Sequence, residues 1–274
     1  MQTEAKPNAG DSEMRMQFNR NLHFDVDGTL LSHVTKEVPA STRSSLKALR
    51  EKGIKIFIST GRHLTEMEKL PLNDLEFDGY ITLNGQLILD HDKNLLFAAP
   101  FNQKISNSLV GMFSDKKVPI LLVEEKHIYI NIVNDLVRQV QANISSEIPE
   151  ALAYDGQPIY QACLYLAPEE EKAFSECLPE GTKMVRWNGG GADIISAEGG
   201  KITGMKRLMA QLNLSQNEIM AFGDAENDIE MLQYAGIGVA MGNAVESVKE
   251  TADYITDDID KNGTQNALLY YHII

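Results

Sequence analysis

Only two cysteines, Cys163 and Cys177, occur in 274 residues. They are too few for a disulfide framework and sit in no zinc-binding spacing, so a reducing, cytoplasmic setting suits the chain. Long hydrophobic runs are also missing. The longest, such as 54–58 and 120–123, are strand-sized, so no transmembrane helix is expected. Cationic residues are scarce, 25 Lys and Arg against 39 Asp and Glu, which leaves a formal net charge of −14. That balance argues against a nucleic-acid partner, whose phosphate backbone needs a basic face. A small anionic ligand stays open if a metal and a few cationic side chains supply the attraction locally. No internal repeat or low-complexity tract stands out. Residues 1–19 are polar, carry Pro7 and Gly10, and lack the apolar core of a signal peptide. They are expected to be a disordered leader, with Met14 or Met16 as an alternative start.

What is present is an ordinary globular composition, 43% hydrophobic and 23% charged, in a length that suits one large domain or two modest ones. From residue 21 short apolar runs alternate with helical patterns. Strands are expected at 22–24, 54–58 and 80–83, and helices at 41–52, opened by Pro39 and Ser41 and closed at Gly53, and at 65–69. This alternation predicts a parallel sheet flanked by helices. The middle changes character: 86–90 and 94–98 flank His91-Asp92-Lys93 as a hairpin, and short strands and helices follow to 166. After Gly189-Gly190-Gly191 the alternation resumes, with strands at 193–195, 219–222 and 237–240 and helices at 201–212 and 227–234. The expected fold is α/β, a Rossmann-like parallel sheet core with an inserted α+β cap. Residues 20–85 and 190–274 form the discontinuous core and 86–189 the cap.

Two acidic segments fall where strands end, the place where open α/β sheets bind ligands. In Asp25-Val26-Asp27-Gly28-Thr29 an extended backbone points the carboxylates of Asp25 and Asp27 the same way. One carboxylate can attack phosphorus, and the other can protonate the leaving alcohol and later deprotonate water. Gly28 permits a sharp turn, which Thr29 can brace. Taken alone, the segment is also a plausible Asx-rich turn. The second segment, Gly223-Asp224-Ala225-Glu226-Asn227-Asp228, places Asp224 and Asp228 near one hard cation, directly or through water. Asn227 can donate to a phosphate oxygen. A helix start rich in acids is the bland alternative, but both motifs arising by accident in one alternating core is implausible. Thr60-Gly61 ends the second strand, where a hydroxyl and backbone N–H groups can bind phosphate. Lys201 opens a helix, against the macrodipole, and can neutralise charge between nucleophile and phosphoryl group.

These four segments, in this order and with the insert between the second and third, resemble the haloacid-dehalogenase-like hydrolases. The chain is similar to the Cof-type sugar-phosphate phosphatases with a large C2-type cap, and Asn84-Gly85 and residues 238–244 match that branch. The resemblance implies Asp25 as nucleophile and magnesium ligand, and Asp27 as acid/base and ligand through its carbonyl. Asp224 would be a direct metal ligand, and Asp228 would stand behind it or reach the metal through water. Val26, Thr60, Gly61 and Asn227 would hold the phosphate, and Lys201 would bridge Asp25 and the phosphate. His23 departs from the usual apolar strand position and is expected to be a buried, hydrogen-bonded core residue. The approach to Lys201, Glu198-Gly199-Gly200, departs from the commoner Lys-Gly-x-Ser run. Asn84 and Arg186 are the expected substrate contacts, with Trp187 beside them; packing is an equal reading for Arg186 and Trp187. The expected activity is magnesium-dependent hydrolysis of a small phosphorylated metabolite, such as a hexose phosphate, by a monomer or small homo-oligomer away from membranes. A phosphotransferase or mutase using the same aspartyl-phosphate, and a non-catalytic sensor of phospho-ligands, are the alternatives.

Overall fold

The short apolar runs become strands covered on both faces, as a parallel sheet requires. The computed structural model describes residues 21–144 and 146–274; the expected leader of residues 1–19 lies outside the described residues. The strands are β1 (Asn21–Phe24), β2 (Lys55–Ser59), β3 (Gly79–Thr82), β4 (Leu87–Asp90), β5 (Leu95–Ala98), β6 (Ile120–Val123), β7 (Ile128–Ile130), β8 (Glu150–Ala151), β9 (Gln161–Tyr165), β10 (Thr182–Asn188), β11 (Gly191–Ser196), β12 (Ile219–Gly223), β13 (Ile237–Ala240) and β14 (Tyr254–Ile255). The helices are α1 (Ala40–Glu51), α2 (Leu64–Met67), α3 (Gln103–Asp115), α4 (Asp135–Asn143), α5 (Glu171–Ser175), α6 (Lys201–Leu212), α7 (Ile229–Tyr234), α8 (Glu246–Lys249) and α9 (Gly263–Tyr270).

The first sheet has the order β14-β13-β12-β1-β2-β3-β4-β5. It is parallel from β14 to β3 and antiparallel in β4 and β5. The chain runs outward from β1 through β2 and β3, then returns on the other side as β12. That reversal between β1 and β12 is the topological switch point at which such sheets open a crevice. Alternation along each strand divides the core. Ile56, Ile58, Met220 and Phe222 pack on one face with Leu46 and Leu49 of α1. Phe57, Ile219 and Ala221 pack on the other with Met205 and Leu208 of α6.

A second sheet, of order β10-β11-β9-β6-β7-β8, comes from the middle of the chain. Ile120, Leu122, Ala162 and Leu164 face α3 through Leu109. Leu121, Val123, Cys163 and Tyr165 turn the other way, toward Val137 and Val140 of α4 and toward Leu83 and Leu87 of the first layer.

Two expectations change here. The β4–β5 hairpin, expected to open the insert, instead extends the first sheet, because β4 pairs antiparallel with β3 from Gly79↔Asp90 to Thr82↔Leu87. The strand at 193–195, expected to belong to the resumed core, is β11 of the second sheet, paired with β9 and β10.

His23 is fully buried on β1, stacked on Phe57 at 5.0 Å between ring centres. Its Nδ1 lies 3.2 Å from Ser59 Oγ, while Nε2 has no partner among the described residues. Burial pushes the imidazole down to about 3 from its ordinary 6.5, so the fold favours the neutral ring. The unfolded chain therefore binds the extra proton below pH 6.5. Stability should fall as pH drops from there toward 3, by about 1.4 kcal/mol per unit. Denaturant melts across pH 7 to 4 should show a shallower acid decline for His23→Leu than for the parent. Parallel curves would remove His23 as the source.

Candidate active site

The register of the central strands assembles the site. Phe24 pairs with Phe222 on one side and Ile58 on the other, so Asp25, Asp224 and Thr60 all emerge at the same sheet edge. Asp25 N–H donates to Phe222 O at 3.1 Å and seals the β1–β12 junction. The chain then turns tightly: Leu30 and Leu31 N–H both donate to Val26 O, at 2.9 and 2.7 Å. Gly28 has φ +78°, and a Cβ there would stand 2.1 Å from Asp224 Oδ2. Only glycine lets the two acidic loops approach this closely. Thr29 Oγ1 donates to Asp224 Oδ1 at 2.8 Å. Asn243, in the segment after β13, donates to Gly28 O at 2.8 Å and holds the turn from outside.

Lys201, 1% exposed, reaches from the start of α6 into this crevice. Its Nζ donates to Asp25 Oδ1 and to Asp228 Oδ1, both at 2.7 Å. Asp228 is consumed by structure: its Oδ2 accepts from Asp224 N–H at 3.0 Å and Ala225 N–H at 3.1 Å. Of these three aspartates, the oxygens left without a donor among the described residues are thus Oδ2 of Asp25 and Oδ2 of Asp224. Ligand atoms of Asp25, Asp224 and Asp228 lie within 4.8 Å of one another, and all three residues are buried.

Three carboxylates against one ammonium leave two negative charges. Burial pushes the Asp25 carboxyl up to about 7 against the pull of Lys201. Burial and the Asp25 charge together push Asp224 well above the usual range. An all-oxygen set with unspent negative charge is what a hard divalent cation requires, so the residues present fit one.

Asp27 is held differently. Its two oxygens accept from Arg62 Nε at 2.6 Å and Nη2 at 2.8 Å. Burial alone would raise its carboxyl, but the bidentate guanidinium overrides that and holds it below the usual range. Arg62 also donates to Ile144 O at 2.8 Å and Ser146 Oγ at 3.0 Å, so it bridges the first layer and the end of α4. Lys36 Nζ donates to Asn143 O at 2.6 Å, and His63 Nε2 lies 2.8 Å from Glu125 O. These contacts close the second layer over the site, leaving a cavity of about 830 Å³. Asp25, Asp27 and Asp224 line its floor, and Leu121, Gln161 and Trp187 line its roof.

Most of the expected residues meet here. Thr60, Gly61 and Asn227 line the cavity with the three aspartates. Thr60 Oγ1 accepts the Arg62 N–H at 3.1 Å, so that backbone donor is already engaged. Asn84 stands behind the wall, with φ 51° between Leu83 and Gly85, which are also left-handed. Its side chain accepts from Asn227 Nδ2 at 3.3 Å and donates to Asp193 at 2.8 Å and Gln161 at 3.0 Å. Arg186 does not reach the cavity. Its Nε is paired with Glu171 of α5 at 2.5 Å and its Nη1 donates to Asn188 O, because β10 turns this side chain away while Trp187 faces in. Sequence reasoning left Arg62, Gln161 and Asp193 without a role. The Arg in Thr60-Gly61-Arg62 was the available signal for the first; nothing in the local sequence marks the other two.

A crevice at a switch point, two acidic loops and a buried lysine define an α/β phosphoryl-transfer enzyme. Residues 22–268 match the family described as haloacid dehalogenase-like hydrolase. The putative phosphatase YkrA of Bacillus subtilis (strain 168) is 31% identical over 250 residues, covering 90% of this chain and 95% of that protein. Among solved structures, the phosphatase BT1666 from Bacteroides thetaiotaomicron superposes with a TM-score of 0.85 at 31% identity, covering 94% of this chain and 97% of its own. The HAD subclass IIB sugar phosphatase BT4131 superposes with a TM-score of 0.83 at 33% identity, covering 93% and 100%. The chain belongs to the haloacid dehalogenase-like hydrolase family, and it is a phosphatase. No helix among the described residues is long and apolar enough to cross a membrane.

Proposed function

We propose that this phosphatase is a magnesium-dependent phosphomonoesterase that works through an aspartyl-phosphate on Asp25. One observation carries the reading: Lys201 holds one oxygen of Asp25 while the other, on the cavity floor, has no protein donor among the described residues. Asp25 Oδ2 attacks phosphorus, and the bond from phosphorus to the alcohol oxygen breaks as Asp27 delivers a proton to that oxygen. Water then attacks phosphorus, Asp27 takes its proton, and the bond to Asp25 breaks. While Arg62 grips it, Asp27 is suited to be the base of the second half. Acting as acid requires it to carry a proton and so to loosen from the guanidinium.

Asp25, Asp224 and the Asp27 carbonyl would hold the cation, with Asp228 fixing Asp224 from behind. When bound, the cation offsets the carboxylate charge and that of the phosphoryl oxygens. Lys201 would offset the same charge with its ammonium, and Thr60, Gly61, Asn227 and the Val26 backbone would receive the phosphate oxygens. A first layer built from residues 21–98 and 201–274 that carries the chemistry, and an insert between them that selects the substrate, are part of this reading. A small sugar phosphate fits the cavity's size and mixed lining, and the likeness to a sugar phosphatase supports it. A cytoplasmic setting agrees with two free cysteines.

The test is phosphate release from a panel of aryl and sugar phosphates, with magnesium and with chelator. Release without an added acceptor, abolished by chelator, is expected. Transfer only to a second sugar would replace hydrolysis by a mutase reaction, and no turnover of any substrate would leave a sensor.

A further inference from the structure

Asp193 projects from β11 into the cavity roof and is 5% exposed. It is a buried carboxylate with neutral partners among the described residues. Asn84 Nδ2 donates to one oxygen at 2.8 Å, and Trp187 Nε1 donates to the other at 3.1 Å. Removing a carboxylate from water without a counter-charge is costly, and burial accordingly pushes Asp193 up to about 7. The cations that line the cavity are turned elsewhere: Arg62 to Asp27, and Lys36 to Asn143 O. The Cys163 thiol is a further neutral partner, and a carboxylate with about four lone-pair sites keeps room for one more donor. The position is specific too. A Cβ on Gly61 would stand 3.1 Å from Asp193 Oδ2, so this carboxylate borders the loop proposed to hold phosphate. On the phosphomonoesterase reading, a substrate group that reaches it would belong to the alcohol, close to the ester.

We propose that Asp193 is a specificity-determining residue that accepts a hydrogen bond from an ammonium or hydroxyl group close to the phosphoester and rejects monoesters carrying an anion there. This rests on the phosphomonoesterase reading of the same site. Reversing a charge a few ångströms from a buried carboxylate changes affinity by roughly tenfold or more. Ammonium and carboxylate analogues should therefore differ in affinity by at least tenfold.

The experiment is competition against aryl phosphate hydrolysis by three two-carbon monoesters of matched shape: 2-aminoethyl phosphate, 2-hydroxyethyl phosphate and phosphoglycolate. The parent should bind them in that order, with a ratio of roughly tenfold or more between first and last. Asp193→Asn should shrink the ratio below about threefold, and Asp193→Glu should keep the order. Because the readout is a ratio within each variant, general damage to the site does not imitate it. Asp193→Ser serves if the asparagine variant does not fold. A parent ratio under threefold, tightest binding of phosphoglycolate, no competition by any of the three, or a ratio unmoved in Asp193→Asn would each overturn the assignment. Should the parent hydrolyse no aryl phosphate, the phosphatase mechanism fails separately. The same three compounds are then ranked by thermal protection with magnesium, and the order decides the role of Asp193 by the same criteria.

Discussion

Asp25→Asn should lower turnover of an aryl phosphate by at least about a thousandfold, with the folded protein intact. The amide is nearly isosteric and keeps an oxygen for Lys201, yet it lacks the charge and the nucleophilic lone pair that face the cavity floor. Stability argues the same case from the other side. Asp25 is one of three buried carboxylates whose ligand atoms lie within 4.8 Å of one another, so neutralising it removes repulsion, while Lys201 keeps its bond to Asp228. In chelator the variant should melt no lower than the parent. Steady-state kinetics beside thermal melts separate the two effects. Turnover within tenfold of the parent would sink the aspartyl-phosphate route.

Lys201→Met should destabilise the protein by about 3–5 kcal/mol in the absence of divalent cation, because it strips from two buried carboxylates their only ion-pair partner among the described residues. The apolar stem keeps its length and packing, so the loss reports on charge rather than on a cavity. Magnesium should restore part of it, and restore more than it adds to the parent, since a cation bound only by the folded state stabilises by mass action. Denaturant melts with chelator and with magnesium measure both quantities. Equal stability of parent and variant in chelator would mean that the carboxylates are protonated in the fold and need no cationic neighbour.

The floor of the site was legible because its chemistry is local. Asp25 and Asp27, and Asp224 and Asp228, lie within a few residues of each other, just after strands whose apolar runs are themselves short-range signals. The insert was less legible. The strand Thr182–Asn188 is half-buried along its whole length and carries no apolar run, so neither of the two usual periodicities marks it. Missing it left Asp193-Ile194-Ile195 to be read as a core strand, whereas the β10–β11 pairing places it in the second sheet. The same pairing separates two neighbours that the sequence left alike: Trp187 faces the cavity and donates to Asp193, and Arg186 faces Glu171. Arg62 was visible as a residue and invisible as a partner, since its ion pair joins positions 35 apart.

The order of motifs and the composition were enough, by themselves, to determine an α/β phosphoryl-transfer enzyme of acidic character, because each motif carries its chemistry within a handful of residues. Only the tertiary structure decided which charges neutralise which: Lys201 against Asp25 and Asp228, Arg62 against Asp27, and, among the described residues, nothing cationic against Asp193. Charge compensation is a matter of a few ångströms in a low-dielectric interior, and distances of that size between remote residues exist only once the sheets have paired and the second layer has closed over the first.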